Sequence, residues 1–361
     1  MENLDTVEWE ACLLEPVRNP ETERFLRKTV GIVPPGARYF LDSPWLCGAV
    51  AGLGQMPMLY LSADLGEMVA LVVSQDNSCR YCYTATRGIM KILGFPERRI
   101  RRLEEDFLAA DLNPAETLAL TFARRVSRAA PLAGNADIRS LVEVGYSPAA
   151  AKEIALAAAS NVFMNRLSTL LALPPTDADL ADRWWVRVFR PLIAQILRRR
   201  AAHAIVLSPE QRQGPFAEFV NAFDGLPAAP RLRSVLDQAW RSPALPARVK
   251  AFVFAVVARG IACVPAEREA VRLLLAEGMT SEQIEPALAH LAGPDLDPLE
   301  QSAVALARES IWYRPAPLQR LARSISTQLT RLQFVELVGA TALANAVCRL
   351  SVALEPADSP A

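Results

Sequence analysis

Hydrophobic positions recur at spacings of three and four residues along almost the whole chain. This is the spacing at which side chains line one face of an α-helix. No run of residues alternates between apolar and polar positions with a period of two, as a half-buried strand would. Alanine, leucine and arginine, which all favour helices, dominate the sequence. The pattern predicts an all-α fold.

Local signals mark where several of these helices begin and end. The segment Asn113–Glu116 has an asparagine suited to an N-cap, a proline at the first helical position and a glutamate at the third. Ser147 and the proline after it open another helix, which we expect to reach about Leu173. Gly94 is typical of a helix stop. These signals divide the long helical pattern into separate helices.

The second half of the chain repeats the first at one constant spacing, which we call the repeat offset and which carries Cys79 onto Cys263. Under this offset Asp111–Glu116 aligns with Asp295–Glu300. In both segments an N-cap residue, a proline and a glutamate follow one another in the same order. The same offset pairs Val69 with Val253, Val72 with Val256, Val73 with Val257, Gly94 with Gly278, and Ile100 with Ile284. After a short slip, Asn165 matches Asn345. We interpret this self-similarity as an internal duplication.

The duplication predicts two helical domains, residues 1–180 and residues 181–354, which meet at a junction near 177–182. The tail 355–361 is polar and contains prolines, so we expect it to be disordered.

Composition narrows the possible partners and location. The 361 residues are 52% hydrophobic and 22% charged, which is typical of a globular protein. Basic and acidic residues balance at 39 each, so no net field attracts nucleic acid. No clean apolar run reaches the roughly 20 residues that a membrane span needs. The acidic N-terminus is unlike a secretory signal. We therefore expect a cytoplasmic protein with no nucleic-acid or membrane partner.

Cys79 and Cys82 carry the main candidate chemistry. Cysteines three residues apart on a helix lie on one face, close enough to bridge. Asn77 and Ser78 are both good N-caps, which would place Cys79 in the first helical turn. Unpaired amides and the helix dipole favour a thiolate there, so helix position favours Cys79 as the more acidic thiol. Its neighbour can then resolve an oxidised product as a disulfide.

Three interpretations of the pair are open: a redox site, a zinc site and buried structural cysteines. A zinc site needs two further ligands, yet the only histidines, His203 and His290, are remote in sequence. Structural cysteines would lie in an unusually polar setting, beside asparagine, serine and arginine. Spacing and setting favour the redox site. We expect no metal, and no bound cofactor because no phosphate-binding or dinucleotide motif is visible.

The residues around the pair resemble a known family. Glu67 lies twelve residues before Cys79, Asn77 lies just before the pair, and Tyr81 lies between the two cysteines. With Cys82, this pattern resembles the carboxymuconolactone decarboxylase / alkylhydroperoxidase D (AhpD-like) superfamily, in its peroxidase-related branch. The resemblance covers roughly residues 25–173 and, more weakly, 230–350. It implies two tandem AhpD-like helical repeats, the second degenerate.

The resemblance also implies roles. Cys82 would attack a hydroperoxide, Cys79 would resolve the product, and Glu67 would be the outer member of a proton relay. This order is the reverse of the one that helix position favours. Thr86 stands where the family has a histidine, and threonine cannot act as a base near pH 7. The resemblance therefore implies a CxxC thiol–disulfide oxidoreductase, an antioxidant protein of the peroxiredoxin type, with weak peroxidase activity.

The expected partners follow from the same resemblance. They are a hydroperoxide or disulfide substrate, a thiol reductant of the dihydrolipoamide or thioredoxin type, and further copies of the chain in a homo-oligomer. Two alternatives from other classes stay open. One is a decarboxylase, lyase or isomerase that acts on a small carboxylated metabolite through Glu67. The other is a non-catalytic redox-sensing or structural protein, in which Thr86 marks lost catalysis.

The second half has lost this chemistry. The repeat offset replaces Glu67 by Ala251, Asn77 by Ile261, Tyr81 by Pro265, Cys82 by Ala266 and Thr86 by Ala270. Only Cys263 remains, and we expect it to pack as a small apolar residue, as we do for Cys12, Cys47 and Cys348. The second half is therefore predicted to be structural.

Substituting Thr86→His should raise hydroperoxide turnover, because it supplies the missing base. General-base help is typically worth about a hundredfold in rate. Steady-state turnover of an alkyl hydroperoxide with a dithiol reductant measures the effect. Unchanged turnover would mean that the surrounding geometry has also drifted from that of a peroxidase.

Overall fold

A computed structural model describes residue 4 and residues 7–54, 56–175, 184–198, 202–291 and 296–355. The predicted junction at 177–182 lies outside the described residues, as does the predicted disordered tail beyond 355.

Within these ranges the chain forms seventeen α-helices, one short 3-10 helix at Pro35–Tyr39 and no strand, which confirms the predicted all-α class. The helices are α1 (Pro20–Val30), α2 (Pro44–Gly54), α3 (Ala63–Asp76), α4 (Arg80–Leu93), α5 (Glu97–Asp106), α6 (Pro114–Ser127), α7 (Asn135–Glu143), α8 (Pro148–Leu170), α9 (Trp184–Arg198), α10 (Ala217–Asn221), α11 (Ala228–Arg241), α12 (Ala247–Gly260), α13 (Val264–Ala276), α14 (Ser281–His290), α15 (Pro298–Trp312), α16 (Pro315–Ser326) and α17 (Arg331–Leu354).

The predicted helix boundaries are present where the sequence signals place them. Asn113 accepts a hydrogen bond from the backbone N–H of Glu116 at 2.8 Å, and the Glu116 carboxylate accepts one from the Asn113 N–H at 3.1 Å. Ser147 caps α8 by accepting from the N–H of Ala150. Gly94 ends α4 in the left-handed region, with φ of 93°. Local side-chain chemistry therefore sets these ends.

The second run of helices follows the first at the repeat offset. Adding the repeat offset to the bounds of α3 gives the bounds of α12. Adding it to the bounds of α5 gives the bounds of α14. Ser78 and Ala262, which precede α4 and α13, both have left-handed backbone conformations, with φ of 49° and 55°. Gly94 follows α4 and Gly278 follows α13, and both also have left-handed conformations, with φ of 93° and 87°. Corresponding residues of the two halves thus share unusual backbone conformations. A similar helix-forming composition in the two halves would not by itself produce this agreement.

The long helices α8 and α17 pack against each other at the centre of the molecule. When their N-caps, Ser147 and Thr330, are aligned, Glu153 falls on Glu336 and Arg166 falls on Arg349. The predicted match of Asn165 with Asn345 is therefore about one helical turn out of register, because the caps fix where each helix starts.

The paired glutamates of α8 and α17 are buried, and each holds the segment that leads into a helix of its own half. Glu153 accepts hydrogen bonds from three consecutive backbone N–H groups, 59–61, at 2.6–2.8 Å. Glu336 accepts from the hydroxyls of Ser242, at 2.6 and 2.7 Å, and Ser43, at 3.2 Å. Segment 59–61 precedes α3, and Ser242 precedes α12. The two acids thus anchor corresponding segments.

The paired arginines of the same two helices bind the ends of other helices. Arg166 donates from Nε to the carbonyl of Ser310 at 3.1 Å. Arg349 donates to the carbonyl of Ile311 at 2.8 Å and to that of Arg128. These carbonyls lie at the C-terminal ends of α15 and α6, where the helix dipole favours a cation. Helix α8 of the first half therefore holds a helix end of the second half.

Among the described residues, α17 is the one helix long and apolar enough to cross a membrane by length and composition. Inside the protein, 83% of its apolar window is buried. This is the burial of a core helix.

Substituting Glu153→Ala should lower the free energy of unfolding by about 3 kcal/mol, because backbone N–H groups lose a buried acceptor. Urea denaturation followed by circular dichroism measures the loss. Glu143, which is exposed on α7, provides the matched control, and Glu143→Ala should change stability by less than about 0.5 kcal/mol. Equal effects of the two substitutions would contradict the anchoring role of Glu153.

Candidate functional site

Cys79 and Cys82 lie at the tight turn between α3 and α4. Helix α3 ends with Asn77 as its C-cap, and Ser78 then reverses the chain in a left-handed conformation. Cys79 is itself the N-cap of α4, so Cys82 occupies the first helical turn. The prediction that Asn77 or Ser78 caps α4 is wrong, because these residues end one helix and turn the chain before the next begins.

Both cysteines are free thiols, and both are buried. Cys79 has no exposed surface and Cys82 is 6% exposed. The Cys79 thiol is directed at the carbonyl of Asn165, at 3.8 Å, and the Cys82 sulfur lies 3.6 Å from the hydroxyl of Ser168. Asn165 and Ser168 belong to α8. The central helix therefore supplies polar contacts to both sulfur atoms.

Side-chain amides fix the cysteine turn against α8. Asn77 donates from Nδ2 to the Oδ1 of Asn165 at 3.1 Å, and Asn165 donates from its own Nδ2 to the hydroxyl of Ser74 at 3.3 Å. All three residues are buried. A buried, connected network of this kind holds its members in one arrangement. The sequence pattern includes Asn77, but it gives no signal that Asn165 is its partner.

Tyr313 brings a residue of the second half into this site. It follows α15 in a left-handed conformation, with φ of 51°. Its hydroxyl donates to the carbonyl of Asn165 at 3.2 Å and shares a hydrogen bond with the hydroxyl of Thr169. The guanidinium of Arg166 lies 4.8 Å from the centre of the Tyr313 ring. No sequence signal points to Tyr313, Thr169 or Arg166, since each reaches the site only through the packing of distant helices.

The two thiols have opposite pKa shifts. Burial acts to raise the pKa of Cys79, but hydrogen bonds from the thiol and backbone N–H of Cys82 and from the hydroxyls of Thr169 and Tyr313 hold that pKa below its ordinary value. Burial raises the pKa of Cys82 well above its ordinary value. The hydrogen bond that Cys82 makes to Cys79 and the negative charge of the Cys79 thiolate raise the pKa of Cys82 further. The first proton is therefore lost from Cys79, but because of its hydrogen bonds and not because of the helix position that the sequence predicts.

Glu67 and Thr86 lie on the helices that flank the cysteine turn. Glu67 is half-buried on α3, nine residues before the helix ends, which is about 13 Å along the helix axis. Thr86 is buried on α4, about one helical turn beyond Cys82. The helices α3 and α4 pack against each other. Of the four predicted site residues, only Cys79 and Cys82 lie at the turn itself.

A cleft of about 260 Å³ opens beside the cysteine turn, between residues of the two halves. Its lining residues are Asp76, Asn77, Ser127, Arg128, Ala129, Ala130, Ile311, Trp312 and Tyr313. Asp76 is held by Arg124 at 2.9 Å, Arg128 at 2.6 Å and the hydroxyl of Ser127 at 2.7 Å. Asn77 and Tyr313 line the cleft and also contact Asn165, so the cleft borders the environment of Cys79.

In the part of the chain that the structure describes, no group of three or more histidine, cysteine, aspartate or glutamate side chains is placed to hold a metal ion.

Comparisons with known proteins find solved structures that are similar to this chain at 21–23% identity. No family model matches the chain, and no curated protein matches it significantly. A peroxidase-related protein from Ralstonia eutropha JMP134, described as an alkylhydroperoxidase AhpD core, is 23% identical, with a TM-score of 0.38 over 45% of this chain and 86% of its own. A peroxidase-related protein from Silicibacter sp. TM1040 is 21% identical, with a TM-score of 0.39 over 48% of this chain and 95% of its own.

A third similar structure is a variant of the debrominase Bmp8 in complex with 2,3,4-tribromopyrrole. It is 22% identical, with a TM-score of 0.42 over 50% of this chain and all of its own. Each of the three similarities covers half of this chain or less. Any chemistry of this protein must therefore be argued from the geometry of its own residues.

The reduced protein should show one thiolate that forms below the ordinary cysteine pKa of about 8.5. Ultraviolet absorbance of the thiolate, followed against pH, measures it without a labelling reagent. Burial raises the pKa of Cys12, and raises the pKa of Cys47 and of Cys263 to about 12. Burial also raises the pKa of Cys348. The low-pH step therefore reports on Cys79.

The substitution Cys79→Ser should abolish this step. Cys82→Ser should keep it, because serine still provides a hydrogen-bond donor to the Cys79 sulfur. A step that survives Cys79→Ser and is lost in Cys82→Ser would reverse the order of acidity.

Proposed function

We propose that this protein is a thiol–disulfide oxidoreductase whose Cys79 and Cys82 alternate between dithiol and disulfide. The observation that carries the proposal is the environment of Cys79. Its sulfur is buried, yet it receives hydrogen bonds that favour the thiolate, and the thiol of Cys82 is one of the donors. A stabilised thiolate beside a second thiol is the arrangement that forms and breaks a disulfide.

With a hydroperoxide as substrate, the order of acidity assigns the attack to Cys79. Its thiolate bonds to the terminal oxygen, the O–O bond breaks, and the leaving alkoxide takes up a proton to give an alcohol. Cys79 is thereby oxidised to a sulfenic acid. The sulfur of Cys82 then loses its proton, bonds to the Cys79 sulfur and displaces water. The hydroperoxide gains two electrons, and the cysteine pair loses them.

A disulfide substrate needs no sulfenic acid. The Cys79 thiolate attacks one substrate sulfur, the other leaves as a thiolate, and Cys82 then releases the first by forming the Cys79–Cys82 disulfide. In either case an external thiol reductant, of the dihydrolipoamide or thioredoxin type, returns two electrons and two protons. The burial of both cysteines supports a small substrate that approaches through the cleft beside Asn77 and Tyr313.

Peroxidase activity is proposed to be weak. Thr86 is buried on α4 and offers no base near pH 7. Glu67 lies along α3 from the turn, so proton transfer to it would pass through α3–α4 side chains or water. Thiol–disulfide exchange depends less on a separate base, because the Cys79 thiolate is already favoured.

The scaffold is proposed to be a tandem duplication of one AhpD-like helical unit, with a first unit at 1–180 and a degenerate second unit at 181–354. Two independent features support the duplication. The boundaries of α3 and α5 recur in α12 and α14 at the repeat offset, and α8 and α17 bury matching pairs, Glu153 with Glu336 and Arg166 with Arg349. Cys263 is buried among apolar residues, which fits the loss of chemistry in the second unit.

A redox-sensing protein without turnover is the second candidate, and one observation favours it. Cys79 has no exposed surface, so a bulky protein disulfide has no direct path to its sulfur. A sensor would form the same disulfide but would not pass electrons between two substrates. Turnover with a peroxide and a thiol donor separates the two candidates.

The pair should titrate as one two-electron couple between about −200 and −300 mV, the range of cytosolic thiol systems. Protein equilibrated in dithiothreitol buffers, quenched in denaturant, labelled at free thiols and mapped by mass spectrometry measures it. Cys82→Ser should abolish the couple. Cys263→Ser, at the matching helix start of the second half, should leave the couple unchanged. Thiols that never bridge in the wild-type protein would overturn the proposal.

A further inference from the structure

The position of Tyr313 depends on an unusual backbone conformation at the end of α15. Its φ of 51° lies in the left-handed region, which side chains larger than glycine adopt less readily. The preceding residue, Trp312, is 60% exposed, whereas Tyr313 is turned into the protein. The reversal at the helix end therefore directs one aromatic side chain outward and the next toward the cysteine pair of the other half.

Two polar groups converge on one backbone carbonyl, and a third is bonded to one of them. The Tyr313 hydroxyl donates to the carbonyl of Asn165 at 3.2 Å, and the Cys79 thiol is directed at the same oxygen at 3.8 Å. Thr169 lies one turn further along α8, and its hydroxyl is hydrogen-bonded to that of Tyr313. When Cys79 loses its proton, its sulfur can no longer donate to Asn165 and becomes an acceptor for these hydroxyls.

The Tyr313 ring is held in place from its face. The guanidinium of Arg166 lies 4.8 Å from the ring centre, within the range of a cation–π contact. Arg166 is fully buried and is itself fixed by its bond to the Ser310 carbonyl. Burial raises the pKa of Tyr313 well above its ordinary value, so the hydroxyl keeps its proton at neutral pH and remains a donor.

We propose that Tyr313 is a positioning residue of the redox site, and that its hydroxyl, paired with that of Thr169, holds the Cys79 sulfur in its reactive form. The second half then completes the site of the first, although it has kept no cysteine pair of its own. This inference rests on the proposed thiol–disulfide function and deepens it. It predicts that the reactivity of Cys79 depends on a hydroxyl contributed from the end of α15.

The substitution Tyr313→Phe removes the hydroxyl and keeps the ring beneath Arg166. In the full-length protein it should move the Cys79 thiolate step upward by about one pH unit, the loss of one hydrogen bond to a charged sulfur. Thr169→Val keeps the side-chain shape and should produce a shift in the same direction. Tyr146 is half-buried just before α8, and Tyr146→Phe is the matched control, which should leave the step where it is.

The same variants should slow oxidation of the pair by hydrogen peroxide about tenfold near pH 7, since one pH unit is a tenfold change in thiolate fraction. The loss should shrink as pH rises past the shifted step. A purely structural role for Tyr313 would not produce this pH dependence. If Tyr313→Phe lowers the melting temperature too far for titration, Thr169→Val tests the same hydroxyl pair.

The outcomes separate this inference from the proposed function. A wild-type couple that forms normally, with an unchanged thiolate step in both Tyr313→Phe and Thr169→Val, overturns the role of Tyr313 and leaves the oxidoreductase proposal intact. A wild-type pair that never bridges overturns the oxidoreductase proposal. A shift of the step in both hydroxyl variants and none in Tyr146→Phe supports the role of Tyr313.

Discussion

The fold depends on four charged side chains that the central helices α8 and α17 bury. A buried charge is strongly unfavourable unless it is hydrogen-bonded, so each must find a partner. Glu153 and Glu336 bind the segments that lead into α3 and α12, and Arg166 and Arg349 bind carbonyls at helix ends. Each bond ties a surrounding element to the central helix pair. The segment before α3 and the end of α15 are thereby fixed against the central helices.

The cysteine turn and the end of α15 meet at one stretch of α8. Helix α8 presents Asn165 and Thr169 to the cysteine turn on one side and to Tyr313 on the other. Between these two residues, Arg166 reaches the end of α15. The same stretch of α8 therefore fixes the cysteine pair and the helix end of the second half. This arrangement explains how a second half without its own cysteine pair lies against the cysteine turn of the first.

Comparison of two cysteines in matching positions shows what controls the thiol pKa. Cys79 and Cys263 are both N-caps, of α4 and α13, and both are buried. Burial raises the pKa of Cys263 to about 12, whereas the pKa of Cys79 is lowered by hydrogen bonds. A helix N-terminus is therefore not sufficient. Cys263 has one hydroxyl donor, that of Ser351, so the difference comes from the donors that Cys79 has in addition: the thiol of Cys82, where the second half has Ala266, and a second hydroxyl.

The sequence by itself determined the features that depend on near neighbours: the all-α class, the cap at Asn113, the stop at Gly94, the repeat offset and the adjacency of Cys79 and Cys82. These follow from side-chain spacing and local hydrogen bonding, which act over a few residues. Only the tertiary structure decided which groups surround the sulfur atoms. Asn165 and Tyr313 are distant from the cysteines along the chain, and the packing of α8, α15 and α17 brings them together. The order of acidity depends in part on that packing, because the hydroxyls of Thr169 and Tyr313 add to the hydrogen bonds from the neighbouring Cys82, and together they outweigh the burial of Cys79.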